Sequence, residues 1–156
     1  MDVVYDVADK EDIQELVRLR IAYTREDLGS LSEDDERMMK NFLPDFFERN
    51  LNQNTFSFVA RADGHIVAQV LLITIEKPCS PKMPSGLVGD VLSVYTEPEY
   101  RGSGICTKLM EKMIDAAKQL GICRLTLSAT DDGYPVYKKV GFEDKVTKYK
   151  DMIMHI

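Results

Sequence analysis

A glycine-rich turn between a predicted strand and a predicted helix constrains the fold of this chain more than any other feature. The strand-like run extends from Leu87 to Val94, the turn is Arg101-Gly102-Ser103-Gly104-Ile105-Cys106, and apolar residues then recur at helical spacing to Leu120. Glycine permits a tight turn and lets a ligand approach the backbone closely. The free amides at the helix start, together with the helix dipole, favour a phosphate or pyrophosphate group. This order predicts an α/β fold in which the helix is a right-handed crossover between two parallel strands.

Two common phosphate-binding patterns do not match this turn. A P-loop requires Lys and then Ser or Thr directly after its second glycine, whereas Gly104 is followed by Ile105 and Cys106. The dinucleotide fingerprint requires a third glycine or alanine where Thr107 stands, and no clear Rossmann start surrounds the turn. A protein that binds ATP or NAD is therefore disfavoured.

Length and composition limit the class of protein. With 156 residues, 44% of them hydrophobic and 29% charged, we expect one soluble globular domain over residues 1–156. The apolar runs are too short for a membrane span, and the N-terminus lacks the pattern of a signal peptide, so we expect a cytoplasmic protein without membrane contact. The net charge of -6 argues against nucleic acid as a partner. Three cysteines and two distant histidines show no metal-ligand spacing, so we expect no metal.

The hydrophobic periodicities predict the element order β-α-α-β-β-β-α-β-α-β, which is a mixed sheet with helices on both faces. Asp9 and Ser32 are candidate N-caps of the first two helices, and Asp63-Gly64 is a hairpin turn. Pro44 lies inside the second helical pattern and predicts a kink or two short helices. The predicted strands cover 3–7, 56–62, 66–75, 87–94 and 123–129, with a last strand or hairpin arm over 145–154, and the later helices cover 104–120 and 132–140.

A second motif, Tyr134-Pro135-Val136-Tyr137-Lys138-Lys139-Val140-Gly141-Phe142, completes a resemblance to a known family. It resembles the (Leu/Val/Phe)-Tyr-x-x-x-Gly-Phe signature of the GNAT acetyltransferase superfamily. The turn from Arg101 to Cys106 is similar to that family's Arg/Gln-x-x-Gly-x-Gly/Ala coenzyme A loop, with cysteine at the last position. The resemblance spans nearly the whole chain. One departure is that Thr130-Asp131-Asp132 stands where family members often have an asparagine that contacts the cofactor.

The resemblance implies a GNAT-like acyl-CoA N-acyltransferase fold, acetyl-CoA as cosubstrate, and an amine of a small molecule or protein as acceptor. Direct transfer in a ternary complex is the mechanism that it implies. The pantetheine arm would lie along the predicted fourth strand, and the pyrophosphate would lie on the amides of the turn, where Arg101 acts by charge or through its backbone. The implied cofactor-binding residues are Leu92, Ser93, Val94, Arg101, Gly102, Ser103, Gly104, Ile105 and Cys106.

Tyr137 and Asp90 are the candidate catalytic residues. Tyr137 matches the general acid of the family, a phenol with an ordinary pKa of about 10 that would protonate the leaving thiolate. Asp90 is the only carboxylate in the predicted fourth strand and is the candidate base, acting directly or through water. The alternatives are a core aromatic for Tyr137 and an exposed or paired strand carboxylate for Asp90. Cys106 is interpreted as a small packing residue rather than a nucleophile.

The acceptor and the assembly are less constrained. Some of Tyr23, Phe42 and Phe46 are candidates for the acceptor wall, and the acidic charge favours a basic acceptor. The resemblance also implies a possible homodimer through the last strands. The alternative function is a non-catalytic acyl-CoA-binding sensor or regulatory module on the same fold.

Overall fold

A five-stranded mixed sheet in the order β1-β2-β3-β4-β5 forms the centre of the molecule. The computed structural model describes residues 2–156. The strands are β1 (Val4–Val7), β2 (Thr55–Ala62), β3 (His65–Glu76), β4 (Leu87–Thr96) and β5 (Arg124–Thr126). The helices are α1 (Ile13–Leu28), α2 (Glu33–Asn50), α3 (Ile105–Gln119) and α4 (Tyr134–Val140), with short 3-10 turns at Lys10–Asp12 and Pro98–Tyr100.

Strands β1 to β4 are antiparallel to their neighbours, and β5 alone runs parallel to β4. The β2–β3 hairpin turns at Asp63 and Gly64, whose φ angles of 51° and 81° are those of the predicted two-residue turn. Helix α3 forms the predicted crossover between β4 and β5. The ladder between these two strands spans only Val88–Arg124 to Asp90–Thr126, so β5 is shorter than the predicted 123–129.

Two apolar cores lie on opposite faces of the sheet, as the predicted layers require. Leu16, Leu19 and Phe47 pack α1 and α2 against one face. Leu109 and Met113 pack α3 against the other face, which α4 also covers. Each of these five side chains is at most 1% exposed, so the helices are held mainly by apolar burial.

Ser32 caps α2 as predicted, whereas Asp9 caps the short 3-10 turn Lys10–Asp12 that leads directly into α1. The Asp9 carboxylate accepts a hydrogen bond from the amide of Glu11, and the Asp12 carboxylate accepts one from the amide of Asp9, which closes a capping box. The Ser32 hydroxyl accepts a hydrogen bond from the amide of Asp35 at 3.1 Å. These bonds satisfy amides that the first helical turns leave free.

Helix α2 is one continuous helix, so of the two alternatives predicted at Pro44, a kink or two short helices, the second is wrong. Pro44 removes the amide that would bond the carbonyl of Lys40, but Lys40 is exposed and water can take that bond. The Ser32 cap and four acidic residues in the first turn, Glu33 to Glu36, stabilise the helix start.

The predicted last strand over 145–154 is also wrong. These residues form no strand, and Val146 and Met152 are more than nine-tenths exposed. An alternating pattern indicates strand propensity, but a strand also requires an edge to pair with and a core to cover. The nearest sheet edge, β5, offers only the three residues Arg124–Thr126.

Candidate active site

A cavity of about 560 Å³ opens where β4 and β5 separate. The two strands pair only as far as Asp90 and Thr126, and beyond this point the backbones diverge. The walls of the cavity come from the C-terminal end of α1, the second half of β4, the glycine-rich turn, the start of α3, and α4. The size of the cavity falls in the range of small-molecule sites.

A β-bulge shapes the β4 wall. Gln69 pairs with Tyr95 and Leu71 pairs with Leu92, so two β4 residues stand opposite the single residue between them on β3. Ser93 is one of these two residues, and its φ of 54° is unusual for a residue with a side chain. The structure places Leu92, Ser93 and Val94 together in the cavity wall, and their role in cofactor binding remains a prediction.

The glycine-rich turn presents free amides to the same cavity. Gly102 and Gly104 have φ angles of 80° and 85°, which glycine adopts without strain. Within residues 2–156, no side chain caps α3, and the first amide after the turn to bond back is that of Lys108, to the carbonyl oxygen of Gly104 at 3.1 Å. The first turn of α3 also carries no acidic side chain. These features fit an anionic group such as a pyrophosphate.

Three of the predicted turn residues have different local roles. Ile105 and Cys106 line the cavity at the start of α3. Ser103 is not among the lining residues, and its hydroxyl donates a hydrogen bond to the carbonyl oxygen of Tyr100 at 2.9 Å. Burial raises the pKa of the Cys106 thiol, which disfavours a thiolate nucleophile and supports the packing interpretation.

The Arg101 side chain is already engaged within the protein. Its guanidinium donates to both carboxylate oxygens of Glu26, at 3.0 and 2.7 Å, and to the carbonyl oxygen of Thr96 at 2.7 Å. It also lies over the ring of Tyr95, 5.4 Å from the ring centroid. The hydrogen bonds that the guanidinium donates to Glu26 raise the pKa of Arg101. The side chain therefore ties the turn to the end of α1, which favours a backbone role for this position.

Tyr137 forms part of the opposite wall and is 7% exposed. A Cβ on Gly133 would lie 2.8 Å from the Tyr137 hydroxyl oxygen, so only glycine at that position leaves room for the ring. Burial raises the pKa of Tyr137 to about 12, with smaller contributions from Cys106 and Tyr23. The phenol is therefore neutral and faces a cavity shared with the glycine-rich turn.

Thr130 organises the start of α4 where the family often has asparagine. Its hydroxyl accepts a hydrogen bond from the amide of Gly133 at 3.2 Å, and its carbonyl oxygen accepts one from the amide of Tyr134 at 3.0 Å. Thr130 and Asp132 both line the cavity. The departure from the family pattern therefore leaves a local turn that positions α4.

Other predicted residues lie apart from Tyr137. Asp90 is exposed, pairs across the sheet with Ile73 and Thr126, and is not among the residues that line the cavity. Its role as a base remains a prediction. Phe42 and Phe46 stack on each other on α2 with ring centroids 6.2 Å apart, also outside the cavity wall.

Several wall residues were not identified from the sequence. Tyr23, a candidate for the acceptor wall, does line the cavity. The other lining residues at the end of α1 belong to no sequence motif, so the sequence does not identify them. The contact between Glu26 and Arg101 joins positions 75 residues apart, and no local pattern predicts it. The residues missed include Glu26, Asp27, Tyr95, Thr96, Leu127, Ser128, Gly133 and Val136, whereas the sequence marks Thr130 and Asp132 only as a departure from the family pattern.

Neither a cluster of metal ligands nor a membrane-spanning helix is found within residues 2–156. Over residues 2–156, no three His, Cys, Asp or Glu side chains are grouped as metal ligands would be. In the same range, every helix is too short or too polar to cross a membrane.

The fold is a mixed five-stranded sheet covered by helices on both faces, with a cavity where β4 and β5 separate. The family model of the acetyltransferase (GNAT) family matches residues 14–142, so the chain belongs to that family. A predicted acetyltransferase from Clostridium acetobutylicum, crystallised with acetyl-CoA, is 30% identical with a TM-score of 0.83, covering 97% of this chain and 96% of that one. A GCN5-related N-acetyltransferase from Ralstonia eutropha is 26% identical with a TM-score of 0.81, covering 97% and 99%.

Two curated relatives match shorter segments. Glucosamine 6-phosphate N-acetyltransferase of Trypanosoma brucei brucei is 28% identical over 87 residues, or 54% of this chain and 56% of that protein. An uncharacterized N-acetyltransferase of Methanocaldococcus jannaschii is 36% identical over 61 residues, or 37% of this chain and 27% of that protein. The matched segments therefore span about half and about a quarter of these relatives.

Proposed function

We propose that this protein is an acetyl-CoA-dependent N-acetyltransferase that acts on an amine of a small molecule or a protein. The observation that carries the proposal is the single cavity shared by the free amides of the glycine-rich turn, the separated end of β4 and the buried phenol of Tyr137. The acetyl-CoA in the crystallised Clostridium acetobutylicum neighbour supports the choice of cosubstrate.

The chain offers two kinds of contact to such a cosubstrate. The amides from Gly102 to Cys106 would hold the pyrophosphate, aided by the dipole of α3. The backbone of Leu92 to Val94 would bind the pantetheine amides as a neighbouring strand would. The bound thioester supplies an activated acetyl group, and the residues around it orient the acceptor amine and manage its proton.

Tyr137 is the proposed donor to the leaving sulfur. Its pKa of about 12 keeps the phenol protonated at neutral pH, so a hydroxyl proton is available in the cavity. The same burial opposes full ionisation of the phenol. We therefore assign Tyr137 the donation of a hydrogen bond as negative charge develops on sulfur. The phenol keeps its own proton, and the sulfur leaves as a thiol by taking up a proton equivalent to the one that the attacking amine releases.

The amine must lose a proton before it attacks. Asp90 is the proposed base, and its exposed position outside the cavity wall favours transfer through water over direct contact. An amide near the separated end of β4 is the proposed donor to the carbonyl oxygen of the acetyl group.

The acceptor is proposed to be cationic. Asp27 and Asp132 line the cavity, whereas Arg101, the basic residue in its wall, is engaged by Glu26. An ammonium group entering between these carboxylates would be attracted to the site. We also propose a cytoplasmic location and a homodimer, the latter because Val146, Met152 and Ile153 expose apolar surface that a second copy could cover.

Calorimetric titration with acetyl-CoA, CoA, ATP and NAD tests the proposal. Micromolar binding of the two CoA species alone is expected, and a folded protein that binds neither would contradict it. A screen of amines that includes glucosamine 6-phosphate, polyamines and lysine peptides, read by mass spectrometry, then seeks the acetylated product. Tight CoA binding without any acetylated amine would favour the non-catalytic sensor.

A further inference from the structure

Three fully buried polar side chains form a chain of hydrogen bonds across β2, β3 and β4. The Ser57 hydroxyl donates to the amide oxygen of Gln69 at 3.4 Å, and the amide nitrogen of Gln69 donates to the Ser93 hydroxyl at 3.3 Å. Each of these residues is at most 1% exposed. They account for three of the four buried polar residues in the described part of the chain, residues 2–156.

Stability alone does not explain a buried glutamine in this position. Burying an amide and two hydroxyls costs free energy that their mutual hydrogen bonds only offset, and apolar residues of the same shape are often equally stable. The neighbours Val59 and Leu71 show that this face of the sheet otherwise packs with aliphatic side chains. A buried network of polar side chains at such a site specifies one conformation of the strands that it joins.

The arrangement that it specifies is the bulge of β4. Ser93 has a φ of 54°, and a left-handed conformation in a non-glycine residue persists only when its surroundings hold it. Gln69 bonds Ser93 from outside the cavity, while Ser93 and its neighbours Leu92 and Val94 form the cavity wall. The bulge therefore sets where the backbone groups of this wall point.

We propose that Gln69 is a positioning residue, which holds Ser93 in its left-handed conformation and thereby presents the backbone of Leu92 to Val94 to the cosubstrate. Gln69 does not touch the cavity itself and acts only through Ser93. The part of this role that concerns the cosubstrate rests on the proposed function, but the control of the Ser93 backbone does not.

The first experiment measures the backbone conformation of Ser93 in the protein without any ligand. Carbon chemical shifts of Ser93 in the unliganded protein report its φ, and in the Gln69→Met variant they should move toward extended values. Met keeps the length of the side chain but cannot donate to Ser93. A Ser93 that keeps positive-φ shifts in Gln69→Met would overturn the proposal, even if the protein bound no CoA at all.

The second experiment reads CoA affinity by calorimetry. Gln69→Met should weaken CoA binding by about tenfold, because the β4 wall is displaced. Val59→Ala is the matched control, since Val59 is completely buried in the same core without bonding Ser93, and CoA affinity should be unchanged. If both variants weakened CoA binding equally, Gln69 would act only by packing in the core, which would contradict the proposal.

A rescue variant separates positioning from general damage. Glycine adopts positive φ without strain and has no hydroxyl to satisfy, so Ser93→Gly should keep the bulge without Gln69. The double variant Gln69→Met with Ser93→Gly should bind CoA within about threefold of Ser93→Gly alone. Failure of this rescue in a folded double variant would contradict the positioning role of Gln69.

If the wild-type protein binds no CoA, the proposed function fails, and the chemical-shift experiment still decides the role of Gln69.

Discussion

The two edges of β4 differ in how far they pair with a neighbouring strand. This difference determines where the candidate active site lies. On the β3 edge the ladder continues from Glu76–Leu87 to Ala68–Thr96, interrupted only by the bulge. On the β5 edge it ends at Asp90–Thr126, and the rest of β4 lines a cavity. The closed part of β4 supports the fold, whereas the open part leaves backbone groups free for a ligand. Changes at the open part should therefore affect rate, and changes at the closed part should affect stability.

The largest expected effect is on the open side, in Tyr137→Phe. Loss of the hydroxyl should lower kcat by about 100-fold and change CoA affinity little, because the hydroxyl is proposed to act on the leaving sulfur. Stability should hardly change, since the ring remains. Steady-state kinetics and thermal unfolding measure both properties.

Tyr134→Phe is the matched control for that experiment. The Tyr134 hydroxyl bonds the Asp144 carboxylate at 2.8 Å, and Tyr134 does not line the cavity between β4 and β5. Its kcat should stay within about twofold of wild type, as expected for a surface substitution. A Tyr137→Phe enzyme as fast as Tyr134→Phe would remove the proposed donor role.

The closed side is tested by Gly89→Ala. A Cβ at Gly89 would lie 2.7 Å from side-chain carbons of both Leu72 and Leu125, so these leucines must shift. We expect the free energy of unfolding to fall by about 1–3 kcal/mol, as in other overpacked cores. Urea unfolding measures it, and the folded fraction should keep its kcat.

A second substitution tests whether crowding by the Leu72 and Leu125 side chains causes the loss of stability in Gly89→Ala. Leu125→Ala removes one of the two crowded side chains, so the double variant should be less destabilised than the sum of the two single variants. Strictly additive losses would show that Gly89 is required for another reason.

The sequence predicts the locally determined elements of this fold better than the contacts between distant segments. The helix periodicities and the Asp63-Gly64 turn are local, and each predicts an element that forms, although α2 continues through Pro44. The motif residues from Arg101 to Cys106 and at Tyr137 are also local, and almost all of them meet at one cavity. Local patterns are sufficient where neighbouring residues determine the conformation.

Predictions fail where long-range pairing decides. The segment 145–154 has a strand-like sequence but no edge long enough to pair with, and β5 ends at Thr126 because the chain leaves β4 there. The bonds that join Arg101 to Glu26, and Gln69 to Ser93, connect separate elements and leave no periodic signal. The polar contacts that orient the site are therefore visible only in the folded chain.

A smaller effect is expected at the junction of the turn and α1. Arg101→Met and Glu26→Gln should each weaken CoA binding by about two- to fivefold, because either change releases the turn from α1. The pair is partly exposed, so each should cost at most about 1 kcal/mol of stability. Calorimetry distinguishes this role from a direct one. If the guanidinium instead bound the pyrophosphate, Glu26→Gln would free it and tighten CoA binding.

The smallest expected effect is that ionisation of Tyr137 does not lower kcat at alkaline pH. Only the protonated phenol can donate, and its protonated fraction falls as the pH rises through its pKa. An ordinary phenol would lose half of that fraction at about pH 10. Because burial raises the pKa of Tyr137 to about 12, kcat at saturating substrates should remain level to about pH 10. A fall in kcat with a midpoint near pH 10 that disappears in Tyr137→Phe would show that the cavity is wetter than its geometry indicates, and that the open side of β4 does not shield the phenol.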